Sequence, residues 1–343
     1  MMNRPIVGIT MGDPVGIGPE IVLKALSQTS LYDLCRPLVL GDIQVLRGAT
    51  QRLQTDLSVR PVEGPEAGRY RFGEIDVVGL SSLDDGRLRL GHPTKETARA
   101  MVGYITQGAD WAMEARTHAL VTCPINKMAL RKAGFGFEGH TELLAKQTKT
   151  SEYVMMLAGS RLRVALVTIH LPLAQVSKDL TTEAVLQTIC ITHEALRRSF
   201  GIPRPKLSVA ALNPHAGEGG LFGDEEVRLI SPAIDKAALE GVDVSGPYPP
   251  DTLFYWALKG KWDAVISMYH DQGLIPFKMV HFEDGVNTTL GLPIVRTSVD
   301  HGTAYDIAGT GKADPGSLIA AIGMAAHQAA ERAKNREDPS KGK

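Results

Sequence analysis

The chain has 343 residues, 43% of them hydrophobic and 22% charged, with a formal net charge of −1. Its length allows two domains sharing a cleft, and the near-neutral charge argues against a nucleic-acid or anionic-membrane partner, since both call for a basic excess. Three scattered cysteines, Cys35, Cys123 and Cys190, exclude a disulfide framework and a cysteine-based zinc site.

The opening MMNRPIVGITMGDP has no apolar core after its arginine, so no secretory signal is expected there. No window reaches the roughly 18 continuous apolar residues of a membrane span, and a cytoplasmic protein is the expectation. From the N-terminus onward, short apolar runs alternate with amphipathic segments. PIVGIT, RPLVLGD, HALVTCP, RVALVTIH, KLSVAALN and WDAVISMYH have the composition of strands buried on both faces. Between them GPEIVLKAL, TKETARAMVGYITQGADWAME, TEAVLQTICITHEALRRSF and DEEVRLISPAIDKAAL carry helical periodicity, and GSLIAAIGMAAHQAAERAK predicts a last long helix. Such alternation predicts an α/β architecture with a mostly parallel sheet. The charged tail ERAKNREDPSKGK reads as a solvated end.

Three of the strand candidates end in histidine: His170, His215 and His270, spaced by 45 and 55 residues, about one or two βα units. In open α/β sheets the ligand crevice lies beyond the carboxyl ends of the strands. Imidazoles delivered to that rim can converge despite their separation in sequence. Three neutral imidazoles hold a divalent cation with coordination positions left open, as a catalytic metal requires. The alternative for each is a hydrogen-bonded rim residue. Asp271, next to His270, either orients a ligand or a water from behind or caps the strand end. After His215 the run AGEGG provides a backbone that can pass close to a ligand; Glu218 within it has no assignable role.

Other polar clusters are less specific. GFEGHTELLAK places His140 and Thr141 where a glycine loop turns into a helix, either an anion site or an ordinary N-terminus. GLIPFKMVHFEDGVNTTLGLPIVRTS carries Lys278, Asn287 and Arg296 among apolar neighbours. These either grip a phosphoryl group or lie along the surface. VDHGTAYDIAGTGKAD is glycine-rich, but Gly311-Lys312 lacks the spacing and the following Ser/Thr of a Walker A loop. No G-x-G-x-x-G opens a helix after a strand. TMGDPVGIGPE comes nearest, and there Pro19 is better read as a first helical residue.

Taken together, MGDPVGIGPE, GHTE, NPHAGEGG, DTLF, MYHDQG, GVNTTLGLP and RTSVDHGTAYDIAGTGKAD closely resemble the 4-hydroxythreonine-4-phosphate dehydrogenase family of vitamin B6 biosynthesis, in order from about residue 5 to about residue 325. HGTAYDIAGTGKAD is also similar to the adenine-side loop of isocitrate and isopropylmalate dehydrogenases. The resemblance implies two α/β/α domains around a central cleft, an isocitrate/isopropylmalate dehydrogenase-like fold without the Rossmann fingerprint. The expected boundaries are 1–130 plus 290–343 for a discontinuous NAD-binding domain and 131–289 for a metal, substrate and dimerisation domain. It implies metal ligands at His170, His215 and His270, and substrate contacts at His140, Thr141, Lys278, Asn287 and Arg296. The cofactor, NAD or NADP, is assigned to His301, Gly302, Thr303, Asp306 and Gly309. It further implies a homodimer with the active site at the subunit interface, where Asp251 approaches the partner's site.

The implied reaction is NAD-dependent, metal-dependent oxidation of 4-phosphohydroxy-L-threonine at C3, followed by decarboxylation. Zinc, magnesium, cobalt and manganese are all candidates for the metal, and Lys278, Asp271 and Asp251 for the base. TCPINKMALRKAG departs from the family pattern at Cys123 and at INK, which leaves D-threonate or D-erythronate 4-phosphate as alternative substrates. On residue chemistry alone, a metal-dependent phosphatase or aldolase without NAD stays open.

Overall fold

The computed structural model describes residues 4–137 and 139–337. Glu138 of the GFEGHTE segment and the end of the charged tail, residues 338–343, lie outside the described residues. The chain divides into two compact units, Met1–Ser151 with Leu292–Arg336, and a second built on Glu152–Gly291. The first crossover therefore falls at 151/152 rather than 130/131. The reason is local: the two short helices after residue 126 pack against the long helix Lys95–Met113 and so stay with the first unit.

The first unit begins with β1 (Ile6–Thr10), α1 (Gly18–Leu26), α2 (Thr29–Leu34), β2 (Arg36–Asp42) and α3 (Ile43–Leu53). It continues through β3 (Ser58–Pro61), β4 (Glu74–Ser81), α4 (Lys95–Met113), β5 (Ala119–Thr122), α5 (Lys127–Lys132) and α6 (His140–Gln147). The second unit holds β6 (Val154–Ala158), β7 (Arg163–Leu166), α7 (Leu173–Asp179), α8 (Thr182–Arg198) and β8 (Lys206–Ala210). After it come α9 (Ser231–Leu239), β9 (Asp243–Tyr248), α10 (Pro250–Leu258), β10 (Ala264–Ser267), α11 (His270–Val280) and β11 (Val286–Leu290). The chain then returns to the first unit as β12 (Arg296–Val299) and α12 (Gly316–Glu337).

In the first unit the strand order is β3-β4-β2-β1-β5-β12, every pair parallel. β1 is buried at all five positions and β5 at all four, as expected of parallel strands covered on both faces. The capping box of Thr94 and Thr97 starts α4, which buries Met101, Tyr104 and Ile105. In the second unit the order is β11-β6-β7-β10-β8-β9. Here β6 runs antiparallel to both neighbours, while β7, β10, β8 and β9 are parallel. The mostly parallel α/β fold expected from the apolar alternation is what forms. No helix among the described residues is long and apolar enough to cross a membrane.

Candidate active site

The three histidine-bearing strands of the second unit, β7, β10 and β8, are consecutive and parallel, with β10 in the middle. Ser267 of β10 is level with Leu166 of β7, and Ile266 with Val209 of β8. All three strands thus end at one edge. Each strand stops a few residues short of its histidine, so His170 and His215 stand in the connections beyond the carboxyl ends and His270 at the start of the following helix. Val167 and Thr168 donate backbone hydrogen bonds to the Ser267 and Met268 carbonyls at 2.9 and 3.2 Å, lacing two of these loops together.

His270 is the first residue of α11. Its Nδ1 lies 2.7 Å from Asp271 Oδ1, the carboxylate–imidazole arrangement that fixes a ring and leaves Nε2 free for a ligand. α11 can lie tight on β7 because position 273 is glycine; a Cβ there would come within 2.6 Å of Val164 Cγ1. The rings of His170 and His270 sit with centroids 6.0 Å apart. The ring of His215 lies against Phe222, centroids 6.1 Å apart. Among the described residues no group of three or more His, Cys, Asp or Glu side chains is closed around a metal position.

His215 opens an unusual segment. His215, Ala216, Gly217, Glu218 and Gly219 all have positive φ, from 44° to 76°. This is a left-handed turn, and it costs roughly 1–2 kcal/mol for each non-glycine residue. Such strain persists only where the surroundings impose it. Glu226, 2% exposed, accepts hydrogen bonds from the Leu212 and Asn213 amides at 2.8 and 2.7 Å and from Asn213 Nδ2 at 3.0 Å. Buried Gln272 acts similarly on the neighbouring loops: its Oε1 accepts from Met268 N and its Nε2 donates to Ala211 O, both at 2.7 Å. Glu226 was missed by sequence reasoning, and Gln272 was read only as part of MYHDQG. Lys278 and Asn287 of the same unit are partly buried, on α11 and β11, whereas Asp251, second residue of α10, is exposed.

In the first unit His140 and Thr141 open α6 behind Gly139, with no side chain capping the helix. Free N–H groups at a helix start suit an anion. Arg296, 3% exposed, donates from Nη2 to Thr122 Oγ1 at 2.8 Å, and burial pushes it down to about 10. Burial, and then the charges of Arg296 and Lys127, hold the imidazole of His140 well below its ordinary 6.5. Its Nε2 is sealed from solvent without a hydrogen-bond partner among the described residues.

The loop 301–311 of that unit is anchored at several points. Ile17 N donates to Thr303 O at 3.1 Å. Tyr305 donates its hydroxyl to Asp13 Oδ2 at 2.5 Å, and burial raises the Asp13 carboxyl above its usual range. Glu20 accepts from Gly311 N and Ala313 N at 3.2 and 2.9 Å, while Lys24 donates to both carbonyls at 2.7 Å. Glu20 therefore stands in MGDPVGIGPE to hold a glycine loop rather than to bind a pyrophosphate. His301, Gly302 and Asp306 are exposed and Thr303 is buried. Gly309 lines a small cleft with Gly16, Glu20, Arg52 and Leu90.

A mostly parallel α/β chain that brings three imidazoles beyond the carboxyl ends of neighbouring strands has the setting in which such sheets bind small ligands. The profile of the family described as "Pyridoxal phosphate biosynthetic protein PdxA" matches residues 33–325. A 4-hydroxythreonine-4-phosphate dehydrogenase of Desulforapulum autotrophicum is 57% identical over 334 residues, covering 97% of this chain and 98% of that protein. The crystal structure of 4-hydroxythreonine-4-phosphate dehydrogenase from Klebsiella pneumoniae is 41% identical with a TM-score of 0.87, covering 95% of this chain and 99% of that one. A protein of Symbiobacterium thermophilum, provisionally named D-threonate 4-phosphate dehydrogenase, is 46% identical over 336 residues, covering 98% of this chain and 100% of that protein. The chain belongs to the PdxA family of 4-hydroxythreonine-4-phosphate dehydrogenases, and it is an oxidoreductase.

Proposed function

We propose that this enzyme oxidises the C3 hydroxyl of 4-phosphohydroxy-L-threonine with NAD as acceptor, in the synthesis of the vitamin B6 ring. The observation that carries the reading is the order β7-β10-β8, which brings His170, His270 and His215 to one edge of a parallel sheet. By donor type, three imidazoles with one oriented by a carboxylate suit zinc, cobalt or manganese, and magnesium less naturally. The three would have to draw together around the ion, since among the described residues they are not gathered at one position. Such a cation would supply charge stabilisation to the reacting oxygen.

The chain's own groups account for the rest. His140, Thr141, Lys278, Asn287 and Arg296 are the substrate contacts, with the buried guanidinium of Arg296 suited to the phosphoryl group. Held there, the substrate is positioned at its reacting carbon by binding energy gained elsewhere. Asp271 is engaged with His270, which leaves Lys278 and Asp251 as candidates to take the hydroxyl proton. Loss of hydride and proton at C3 leaves a β-keto acid, which decarboxylates. His301, Gly302, Thr303, Asp306 and Gly309 form the proposed nicotinamide-cofactor loop. Its attachment to Asp13, Glu20 and Lys24 supports that role, since a held loop loses little entropy on binding.

A homodimer is part of the proposal. Ile275, Met279 and Phe282, at helical spacing along and just beyond α11, are 61%, 83% and 77% exposed, and Tyr255 and Trp256 of α10 are exposed as well. Apolar side chains displayed this way suit burial against a second copy. Asp251 lies one turn before Tyr255 on the same helix. The Symbiobacterium relative supports a second substrate reading, D-threonate 4-phosphate. The deciding experiment follows nicotinamide reduction with 4-phosphohydroxy-L-threonine, D-threonate 4-phosphate and D-erythronate 4-phosphate in parallel. Preferred turnover of the threonine derivative is expected; preference for a sugar-acid phosphate would move the enzyme into carbon catabolism.

A further inference from the structure

The two residues that lead into the left-handed turn presenting His215 are held by the buried carboxylate of Glu226, with Glu225 also accepting from Asn213 Nδ2 at 2.6 Å. One carboxylate oxygen of Glu226 takes the amides of Leu212 and Asn213 at 2.8 and 2.7 Å, and the other takes Asn213 Nδ2 at 3.0 Å. The same carboxylate lies in the hollow of the turn. A Cβ at residue 217 would come within 2.7 Å of Glu226 Oε2 and 2.9 Å of Gly223 O, so only glycine closes the turn around it. Glu226 also begins the single π-helical stretch among the described residues, Glu226–Ile230, an insertion that often marks functional sites in helices.

We propose that Glu226 is a positioning residue for His215: it holds the strained turn in place so that the imidazole is available to a divalent cation. The proposal rests on the reading of His170, His215 and His270 as metal ligands. Three backbone and side-chain donors converge on one buried carboxylate, and they belong to the two residues that lead into Pro214 and His215. Apart from these bonds the turn is closed by Phe222 N donating to Gly217 O at 3.1 Å and by the His215–Phe222 ring contact, neither of which fixes the two residues that lead into it. Neither oxygen of Glu226 is directed to the cation in this role; its effect passes entirely through His215.

The test uses the full-length protein stripped of metal and titrated with Co²⁺, followed by calorimetry and by the visible d–d absorption of the bound ion. Glu226→Gln keeps shape and volume, and circular dichroism of the metal-free variant serves as the check on fold. The expected result is Co²⁺ affinity about tenfold weaker and an altered d–d spectrum, since one imidazole is no longer held in place. His215→Ala is measured alongside. Wild-type affinity and spectrum in Glu226→Gln, with His215→Ala impaired, would overturn the proposal. Undiminished Co²⁺ binding in His215→Ala would overturn the metal reading itself. Saturating metal should restore much of kcat in Glu226→Gln but not in His215→Ala, a split that loss of fold would not produce.

Discussion

His140 and Arg296 together set the electrostatics of the first unit's polar cluster. Burial first, and then the charge of Arg296, disfavours a proton on His140, while burial lowers Arg296 itself and the carboxylate of Glu142 opposes that. For His140 the consequence is a pH-dependent stability. The unfolded chain binds a proton at this imidazole near the ordinary 6.5, whereas the folded chain resists it to well below that. The unfolded state therefore carries more protons in the window just under 6.5, and stability falls as the pH drops through it. Replacing His140 with Asn removes this contribution. Urea midpoints compared above and below pH 6.5 should fall more steeply in the wild type than in His140→Asn; parallel slopes would show that His140 is not held neutral.

At the scale of elements, the turn Pro214–Gly220 answers why a buried strand leads into NPHAGEGG. β8 brings the chain to the sheet edge, and the left-handed turn displays His215 there. Two glycines of this turn make a controlled comparison. Gly217 and Gly219 share positive φ, 76° and 66°, but a Cβ at 217 collides with Glu226 and Gly223 while one at 219 meets nothing within 4 Å. Gly219→Ala should cost only the backbone penalty of about 1–2 kcal/mol. Gly217→Ala should cost clearly more and should also impair metal binding. Equal destabilisation in chemical unfolding would contradict the packing described for Glu226. The histidines of this edge were legible because each follows an apolar run. Glu226 and Gln272 were not, since their partners are backbone groups such as Leu212 N and Ala211 O, which leave no side-chain pattern. β3 and β9 were equally hard to see: SVRP is short and only partly buried, and DVSGPY, likewise at most half-buried, contains Gly and Pro. β6 is fully buried, but VMMLA is too short for its periodicity to separate strand from helix.

The whole molecule is organised as two units that the chain visits in the order first, second, first. The discontinuity was anticipated from family resemblance, but the crossover at 151/152 was not, because α5 and α6 continue the α/β alternation with no compositional break to mark a boundary. The architecture itself was legible from fully buried runs such as β1, β5 and β10. Assembly is the property of the whole that the exposed face of α11 bears on. Met279→Lys should shift the protein from dimer towards monomer in sedimentation velocity, because a charge buried in an apolar interface is left unpaired. A dimer of undiminished stability would move the interface elsewhere, and a monomeric wild type would remove it.

The proposed metal-dependent oxidation rests on His170, His215 and His270 at one end of the sheet. The most direct measurement is the rate of NAD reduction with 4-phosphohydroxy-L-threonine by wild type and His215→Ala, each stripped with chelator and then resupplied with a divalent metal. Activity should vanish on stripping, return with metal in the wild type, and stay at background in a folded His215→Ala. Turnover that survives chelation, or wild-type-like turnover in metal-loaded His215→Ala, would contradict the proposed metal dependence.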